Sequence, residues 1–188
     1  MNNDVAVKVA ELPEKYQGDI VNAVAFSADG SQIAVDSDFE HINIWDWRSS
    51  RIVKTIEKAP GANEMLVTEP LHYSPNGKLF VACHDPATGH IVIRIWETST
   101  WSITKDIKDP GIGGCASSSF TPDGQNLVRV VNRGISRDDG FIVYSVDTWQ
   151  PVWGLQTEGF LPTTVIVSPD GGLAAISGMF LPPLTDAE

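Results

Sequence analysis

His84, Asp85 and His90 are the residues whose types and spacing most resemble a set of metal ligands. Imidazole nitrogens and carboxylate oxygens are ordinary ligands of Zn²⁺, and these side chains flank the short stretch 86–89. The composition of that stretch is flexible, and no further ligand is evident that would complete a coordination shell. The sequence therefore predicts no metal site, and the three residues remain candidate contacts to a partner.

A second charged group, Arg133, Arg137, Asp138 and Asp139, lies within residues 132–140. Adjacent carboxylates can bind a hard cation through their oxygens. Charged side chains in loops are, however, ordinarily solvated. We therefore expect no cation site here and treat the four residues as further candidate contacts to a partner.

The sequence lacks the motifs that usually carry catalysis. Residues 111–114, Gly-Ile-Gly-Gly, are followed by neither the lysine nor the helix of a phosphate-binding loop. There is no Gly-x-Ser-x-Gly elbow, no His-Glu-x-x-His helix and no carboxylate pair in a constraining context. The sequence thus predicts no catalytic residue, no cofactor and no enzyme activity.

Composition argues against several classes of partner. The chain carries 13 Lys and Arg against 24 Asp and Glu, a net charge of −11, and its basic residues are scattered. Nucleic acids and anionic membranes are bound by clustered cations, so we expect neither as a partner. The first residues, Met-Asn-Asn-Asp, lack the basic and apolar regions of a signal peptide, so we expect either a cytoplasmic protein or a chain that has lost its leader.

The elements that position these residues repeat along the chain. Four stretches of turn chemistry end in Gly30, Gly77, Gly124 and Gly171, so the period is 47 residues throughout. Pro or Ala sets the first corner of each stretch, Asp or Asn tolerates the second, and Gly accepts a positive φ. Each stretch therefore predicts a tight turn between two β-strands.

Short apolar or alternating runs supply up to four strands per period, and none has helical periodicity. Four antiparallel strands in a unit of this length are typical of a β-propeller blade. The sequence predicts an all-β propeller of about four blades, three complete and one partial. The expected segments are an N-terminal strand and linker at 1–20, blade 1 at 21–57, blade 2 at 68–108, blade 3 at 115–156 and the partial blade 4 at 163–188.

Residues 33–46 resemble the second and third strands of a WD-repeat blade, because they end in the Trp-Asp pair that begins at Trp45. The next two repeats have Trp-Glu at Trp96 and Tyr-Ser at Tyr144, which are degenerate forms of that pair. The resemblance covers nearly the whole chain. It implies a divergent WD-repeat propeller of the bacterial type, in which these three aromatic residues pack in the core.

Several positions depart from the WD-repeat pattern. The Gly-His dipeptide before the first strand is missing, and Phe39 stands where the family usually has an aspartate. The buried Asp–His–Ser/Thr–Trp network of the family is therefore not expected. Trp47 and Trp153 fall outside the strict register, and either would be a plausible contact residue if it were exposed.

The two ends of the chain do not decide how the ring of blades closes. Residues 5–9 match the fourth strand of a blade, so we expect the N-terminus to close a blade whose other strands lie elsewhere. A blade cannot bury its own faces. Three arrangements remain: further blades beyond the C-terminus, two copies that form one eight-bladed ring, or a closed four-bladed ring or open stack.

The loops at one end of the strands are expected to differ in length from blade to blade, and we call this end the variable face. It comprises the hairpins 36–41, 84–90 and 132–140 and the links 58–67, 109–114 and 158–162. Loops on a rigid scaffold commonly carry binding sites. The resemblance and this pattern together predict a scaffold that binds a protein or peptide partner there. Neutral variation of the loops is one alternative; another is an enzyme of the hydrolase, lyase or quinoprotein type with its catalytic residues in other blades.

Overall fold

The computed structural model describes residues 21, 23–36, 41–57, 71–84, 92–108, 117–131 and 140–180. Every regular element within them is a β-strand, in three four-stranded sheets and one two-stranded sheet. Blade 1 contains β1 (Ala23–Phe26), β2 (Gln32–Asp36), β3 (His41–Asp46) and β4 (Arg51–Glu57). Blade 2 contains β5 (His72–Tyr73), β6 (Leu79–His84), β7 (Val92–Glu97) and β8 (Ser102–Lys108). Blade 3 contains β9 (Ser118–Phe120), β10 (Asn126–Val131), β11 (Gly140–Ser145) and β12 (Pro151–Gln156), and blade 4 contains β13 (Phe160–Val167) and β14 (Ala174–Phe180).

Each sheet is an antiparallel meander, in which consecutive strands are neighbours. The second and third strands of blades 1 to 3 are largely buried, and a few polar residues, such as Asn43 and Arg129, are buried among their apolar ones. In β3, for example, residues 42–45 are all buried. The prediction of an all-β partial propeller is confirmed.

The blades stack through their faces, with their first strands side by side at the hub. One apolar cluster fills each gap between successive blades, as expected for repeats that cannot bury their own faces. Between blades 1 and 2 it contains Ala34, Ile42, Ile44, Ile56, Leu71, Phe80, Ala82 and Trp96. Between blades 2 and 3 it contains Val81, Ile93, Ile95, Ile107, Phe120, Leu127 and Tyr144, and between blades 3 and 4 it contains Val128, Val130, Phe141 and Val165.

The turns that follow the first strands have the same hydrogen bonds in every repeat. In blade 1 the hydroxyl of Ser27 donates to Oδ1 of Asp29 at 2.7 Å, and the backbone N–H of Ser31 donates to the same oxygen at 3.0 Å. These bonds, that from Ser31 first, lower the pKa of Asp29 to about 2. Gly30 has a φ of +65°, a conformation that glycine adopts without a steric penalty. The side chain of Asp29 or its equivalent thus fixes this end of each blade.

Blade 4 differs from the sequence-based expectation at both of its strands. The stretch 158–162 was expected to be a link, but β13 begins at Phe160 and includes the buried Pro162 next to a register shift. A proline is tolerated in a strand at such an irregularity. The partner strand β14 extends to Phe180, whose ring lies 5.1 Å from that of Phe160. This hairpin is longer than the apolar pattern of the sequence predicts, and the two aromatic rings pair across its strands at the added end.

Candidate partner-binding surface

Most of the sequence-predicted contact residues lie outside the described residues. These are Asp85, His90, Arg133, Arg137, Asp138 and Asp139. His84 is the last residue of β6 and pairs with Val92 of β7. The predicted N-terminal strand at 5–9 and the links 58–67 and 109–114 also lie outside the described part of the chain.

The three aromatic residues of the WD-like pairs stand at one repeated position. Trp45, Trp96 and Tyr144 are buried, and they lie opposite Ile33, Phe80 and Leu127 on the second strands. Trp96 also packs against the Phe80 ring at a centroid distance of 5.7 Å. The turn glycines Gly30, Gly77, Gly124 and Gly171 share a positive φ of 65–74°. Both sets of residues thus recur at equivalent positions in successive blades.

The fourth strands carry an apolar residue at a second repeated position. Ile56, Ile107 and Leu155 each lie opposite the buried apolar residue of the third strand that faces the next blade. Ile56 and Ile107 are each 6% exposed, whereas Leu155 is 52% exposed. The two described strands of blade 4 pack against the first three strands of blade 3 and do not contact the fourth strand β12, on which Leu155 lies.

A third repeated position distinguishes blade 3 chemically. A β-bulge in each fourth strand skips one residue, and beyond it Lys54, Lys105 and Trp153 occupy equivalent places. Trp153 is 57% exposed and contacts the ring of Phe141 at a centroid distance of 5.2 Å. Trp153 is therefore within the register of the repeat, contrary to the sequence-based expectation, since it follows Tyr144 at the same spacing as Lys54 follows Trp45 and Lys105 follows Trp96. Blade 3 presents an aromatic side chain where blades 1 and 2 present a lysine.

Leu155 lines an open cavity at one end of blade 3. The cavity has a volume of about 590 Å³, and its lining also includes Phe141, Gln156 and Glu158. Within the described residues β14 pairs with β13 alone. Counting from the third-strand aromatic residue of each repeat would have aligned Trp153 with Lys54 and Lys105, but no sequence pattern indicates that Leu155 is exposed.

The opposite end of the stack is also open in part. Val24 of β1 is 61% exposed, while its equivalents Leu71, Ser118 and Val165 are at most 4% exposed. Leu71 and Val165 pack in the apolar clusters that they share with the preceding blade. Phe26, two residues further along β1, is exposed as well.

Polar side chains lie among the apolar ones at the hub and between the outer strands. Nε2 of His72 and Oη of Tyr73 are buried without a hydrogen-bond partner. Burial lowers the pKa of His72 to about 4. On the outer strands Thr55 donates to Oδ1 of Asn43 at 2.9 Å in blade 1, and Arg94 forms an ion pair with Asp106 at the equivalent position of blade 2.

The described residues contain no group of three or more His, Cys, Asp or Glu side chains placed to hold a metal ion. Among these same residues there is also no helix long and apolar enough to cross a membrane.

A comparison with known protein structures finds a similar fold. The chain is similar to U3-55K, a WD40 β-propeller protein, with a TM-score of 0.62 and 18% sequence identity over 79% of this chain. The chain spans 43% of the length of U3-55K. At this identity the likeness shows the fold alone. No protein-family model matches the sequence, and no curated protein sequence matches it either.

Proposed function

We propose that this chain is a divergent WD-repeat-like scaffold that binds a protein or peptide partner through the variable face. The likeness to a WD40 propeller supports the scaffold part of the proposal, as does the regular stack of blades. Rigid sheets of this kind hold loops in fixed positions, which is the usual arrangement of a binding surface.

The contrast between the two ends of the strands carries the proposal. At one end the turns are uniform, and Ser27–Asp29, Ser74–Asn76, Thr121–Asp123 and Ser168–Asp170 form the same side-chain hydrogen bond. At the other end, the segments between second and third strands grow from 37–40 to 85–91 and 132–139. A sequence that holds one end constant while the other varies is typical of a scaffold that presents its variable loops.

Affinity purification with matched variants tests this assignment. One variant replaces Arg133 and Arg137 by alanine on the variable face. The control variant replaces Lys78 and Arg48 by alanine near the uniform turns. We expect the first variant to lose partners that the wild-type chain captures and the control to keep them. Equal capture by both variants, or loss from the control alone, would contradict a role for the variable face.

A further inference from the structure

A polar pocket of about 300 Å³ lies between blades 1 and 2, at the end of the strands where the turns are uniform. Its lining includes Asp29 and Ser31 from the turn of blade 1, and Tyr73, Asn76 and Ser99 from blade 2. We call it the turn pocket. Within the described residues this lining contains no lysine or arginine, so no cation in the pocket balances the negative charge of Asp29.

The carboxylate of Asp29 is held in place by one of its two oxygens. The hydroxyl of Ser27 donates to Oδ1 at 2.7 Å, and the N–H and the hydroxyl of Ser31 donate to the same oxygen at 3.0 and 2.8 Å. These bonds, that from the N–H of Ser31 first, lower the pKa of Asp29 to about 2, so the group is ionised at neutral pH. Its other oxygen, Oδ2, is therefore a charged acceptor for a ligand.

The hydroxyl of Tyr73 is a second polar group in the lining. Its oxygen is buried without a hydrogen-bond partner, whereas Phe26 and Phe120 occupy the same place in blades 1 and 3. Burial raises the pKa of Tyr73, and the charge of Asp29 raises it further, so the two side chains lie within electrostatic reach of each other. A buried hydroxyl without a partner costs free energy, and a ligand in the turn pocket would supply that partner.

We propose that the turn pocket binds the ammonium group of a lysine side chain from a partner polypeptide, which donates hydrogen bonds to Oδ2 of Asp29 and to the hydroxyl oxygen of Tyr73. This goes beyond the proposed role of the variable face, because it assigns a second contact surface at the opposite end of the strands. The net charge of −11 would attract such a cationic segment.

The hydrogen bonds of Asp29 favour lysine over arginine. An arginine guanidinium typically pairs with a carboxylate through two parallel bonds, one to each oxygen. Oδ1 of Asp29 already receives three hydrogen bonds from Ser27 and Ser31, so this two-point geometry is not offered. The lysine ammonium is a compact charge on a slender stem and needs only one carboxylate oxygen together with neutral acceptors.

The other gaps between blades lack one of the two groups. Between blades 2 and 3 the turn carries the neutral Asn76 in place of Asp29. Between blades 3 and 4 the turn has a carboxylate, Asp123, but Val167 stands in the place of Tyr73. Within the described blades, the carboxylate and the hydroxyl thus occur together in the first gap alone.

Nuclear magnetic resonance of the ¹⁵N-labelled full chain tests the proposal, with Nα-acetyl-lysine methylamide as the probe. The Nε-acetylated form of the probe removes its charge, and the corresponding arginine compound replaces the ammonium by a guanidinium. Asp29→Asn is the main variant, because Asn76 shows that an amide supports the same turn in blade 2. Its matched control is Asp123→Asn, which makes the same change in the turn of blade 3.

We expect saturable shifts of the amide signals of residues 27–32 and 73–77 with the lysine probe. The affinity should fall by at least about tenfold for Asp29→Asn and for the acetylated probe, because each change removes a charge-assisted hydrogen bond. It should stay unchanged for Asp123→Asn. Tyr73→Phe should also bind more weakly while remaining folded by circular dichroism, whereas a purely structural hydroxyl would leave the affinity unchanged.

Absence of saturable shifts, or equal affinities of Asp29→Asn and Asp123→Asn, would overturn the proposal. An arginine or acetylated probe that binds as tightly as the lysine probe would overturn it as well. These titrations report on the turn pocket and not on the variable face, which the Arg133 and Arg137 variant tests. Either surface can therefore fail while the other stands.

Discussion

Arg94 and Asp106 form a two-point ion pair across the third and fourth strands of blade 2. Nε of the arginine donates to Oδ1 and Nη2 donates to Oδ2, both at 2.8 Å. The hydrogen bond with Asp106 is the main cause that raises the pKa of Arg94. In blade 1 the same two positions hold the neutral pair Asn43 and Thr55, so a charged and an uncharged pair perform one cross-strand role.

A double-mutant cycle on Arg94→Ala and Asp106→Ala is expected to give a coupling energy of about 0.5–1 kcal/mol, because the pair is two-pointed but partly exposed. The free energy of unfolding from urea titrations measures it. Coupling should fall as salt is added. The double variant Arg94→Asn with Asp106→Thr, which carries the blade 1 pair, is expected to recover part of the lost stability. Zero coupling, or coupling insensitive to salt, would contradict this role.

The turn glycines are expected to tolerate substitution unequally. Gly77 has a φ of +70°, and a Cβ built there would lie 3.3 Å from Cβ of Ala28 in blade 1. Gly30 has a similar φ of +65° with no atom within 4 Å of its Cβ position. Gly30→Ala should therefore cost about 1 kcal/mol from the left-handed backbone alone. Gly77→Ala should cost more, because the inter-blade contact is added to the same backbone penalty.

Thermal and urea unfolding of the purified variants measure both changes. Gly172→Ala is the control, since its φ lies outside the left-handed range and its Cβ would meet Asp170 at ordinary contact distances of 3.5 Å and beyond. The order of stability expected is Gly172→Ala, then Gly30→Ala, then Gly77→Ala. A Gly77→Ala protein as stable as wild type would show that the turn has another accessible conformation.

Much of the fold is predictable from the sequence because its repeat is encoded by local chemistry. The glycine of each turn needs a positive φ wherever the blade lies, so the 47-residue spacing reports the architecture directly. The exposure of Leu155 is not predictable in this way. It depends on whether a strand of the next blade packs against the fourth strand, and the equivalent Ile107, which packs against blade 3, is buried.

The position of Trp153 was predictable from spacing. Trp153 follows Tyr144 at the same interval as Lys54 follows Trp45 and Lys105 follows Trp96, because every fourth strand contains the same bulge. Strand pairing likewise aligns Trp153 with Lys54 and Lys105. The start of β13 at Phe160 was missed as well. A proline is unusual inside a strand, and only the strand pairing shows the register shift that accommodates Pro162.

Buried His72 is expected to make stability depend on pH in mildly acidic solution. Burial lowers its pKa from 6.5 to about 4 in the folded chain, so between these values the unfolded state binds more protons. Its contribution is fully present above pH 6.5 and is lost as the pH falls toward 4. A shift of this size corresponds to about 3 kcal/mol over the whole window.

Urea unfolding at a series of pH values between 7 and 4 tests this, with His72→Leu as the variant that removes the titrating group. The variant should lose less stability across the window than the wild type does. The turn carboxylates, such as Asp29 with a pKa of about 2, titrate mainly below this window and are common to both proteins. Identical pH profiles for the two proteins would rule out His72 as the source of the dependence.

Tyr73 carries a hydroxyl that its position in the repeat does not require. Its Oη is buried without a hydrogen-bond partner, and Phe26 and Phe120 occupy the same place in blades 1 and 3. Burial raises the pKa of Tyr73 above its usual range, which reflects the absence of solvation around the oxygen. An unpaired buried hydroxyl costs free energy that an apolar ring of the same shape does not.

Tyr73→Phe is therefore expected to increase the free energy of unfolding by about 1 kcal/mol, against the usual trend for core substitutions. The ring contact with Phe80, at a centroid distance of 5.0 Å, is kept by phenylalanine. Urea titration of the variant measures the change, and Tyr144→Phe is the control, because its hydroxyl is not among the buried unpartnered groups of the described residues. A loss of stability in Tyr73→Phe would mean that the hydroxyl is hydrogen-bonded in solution, most simply through a buried water at the hub.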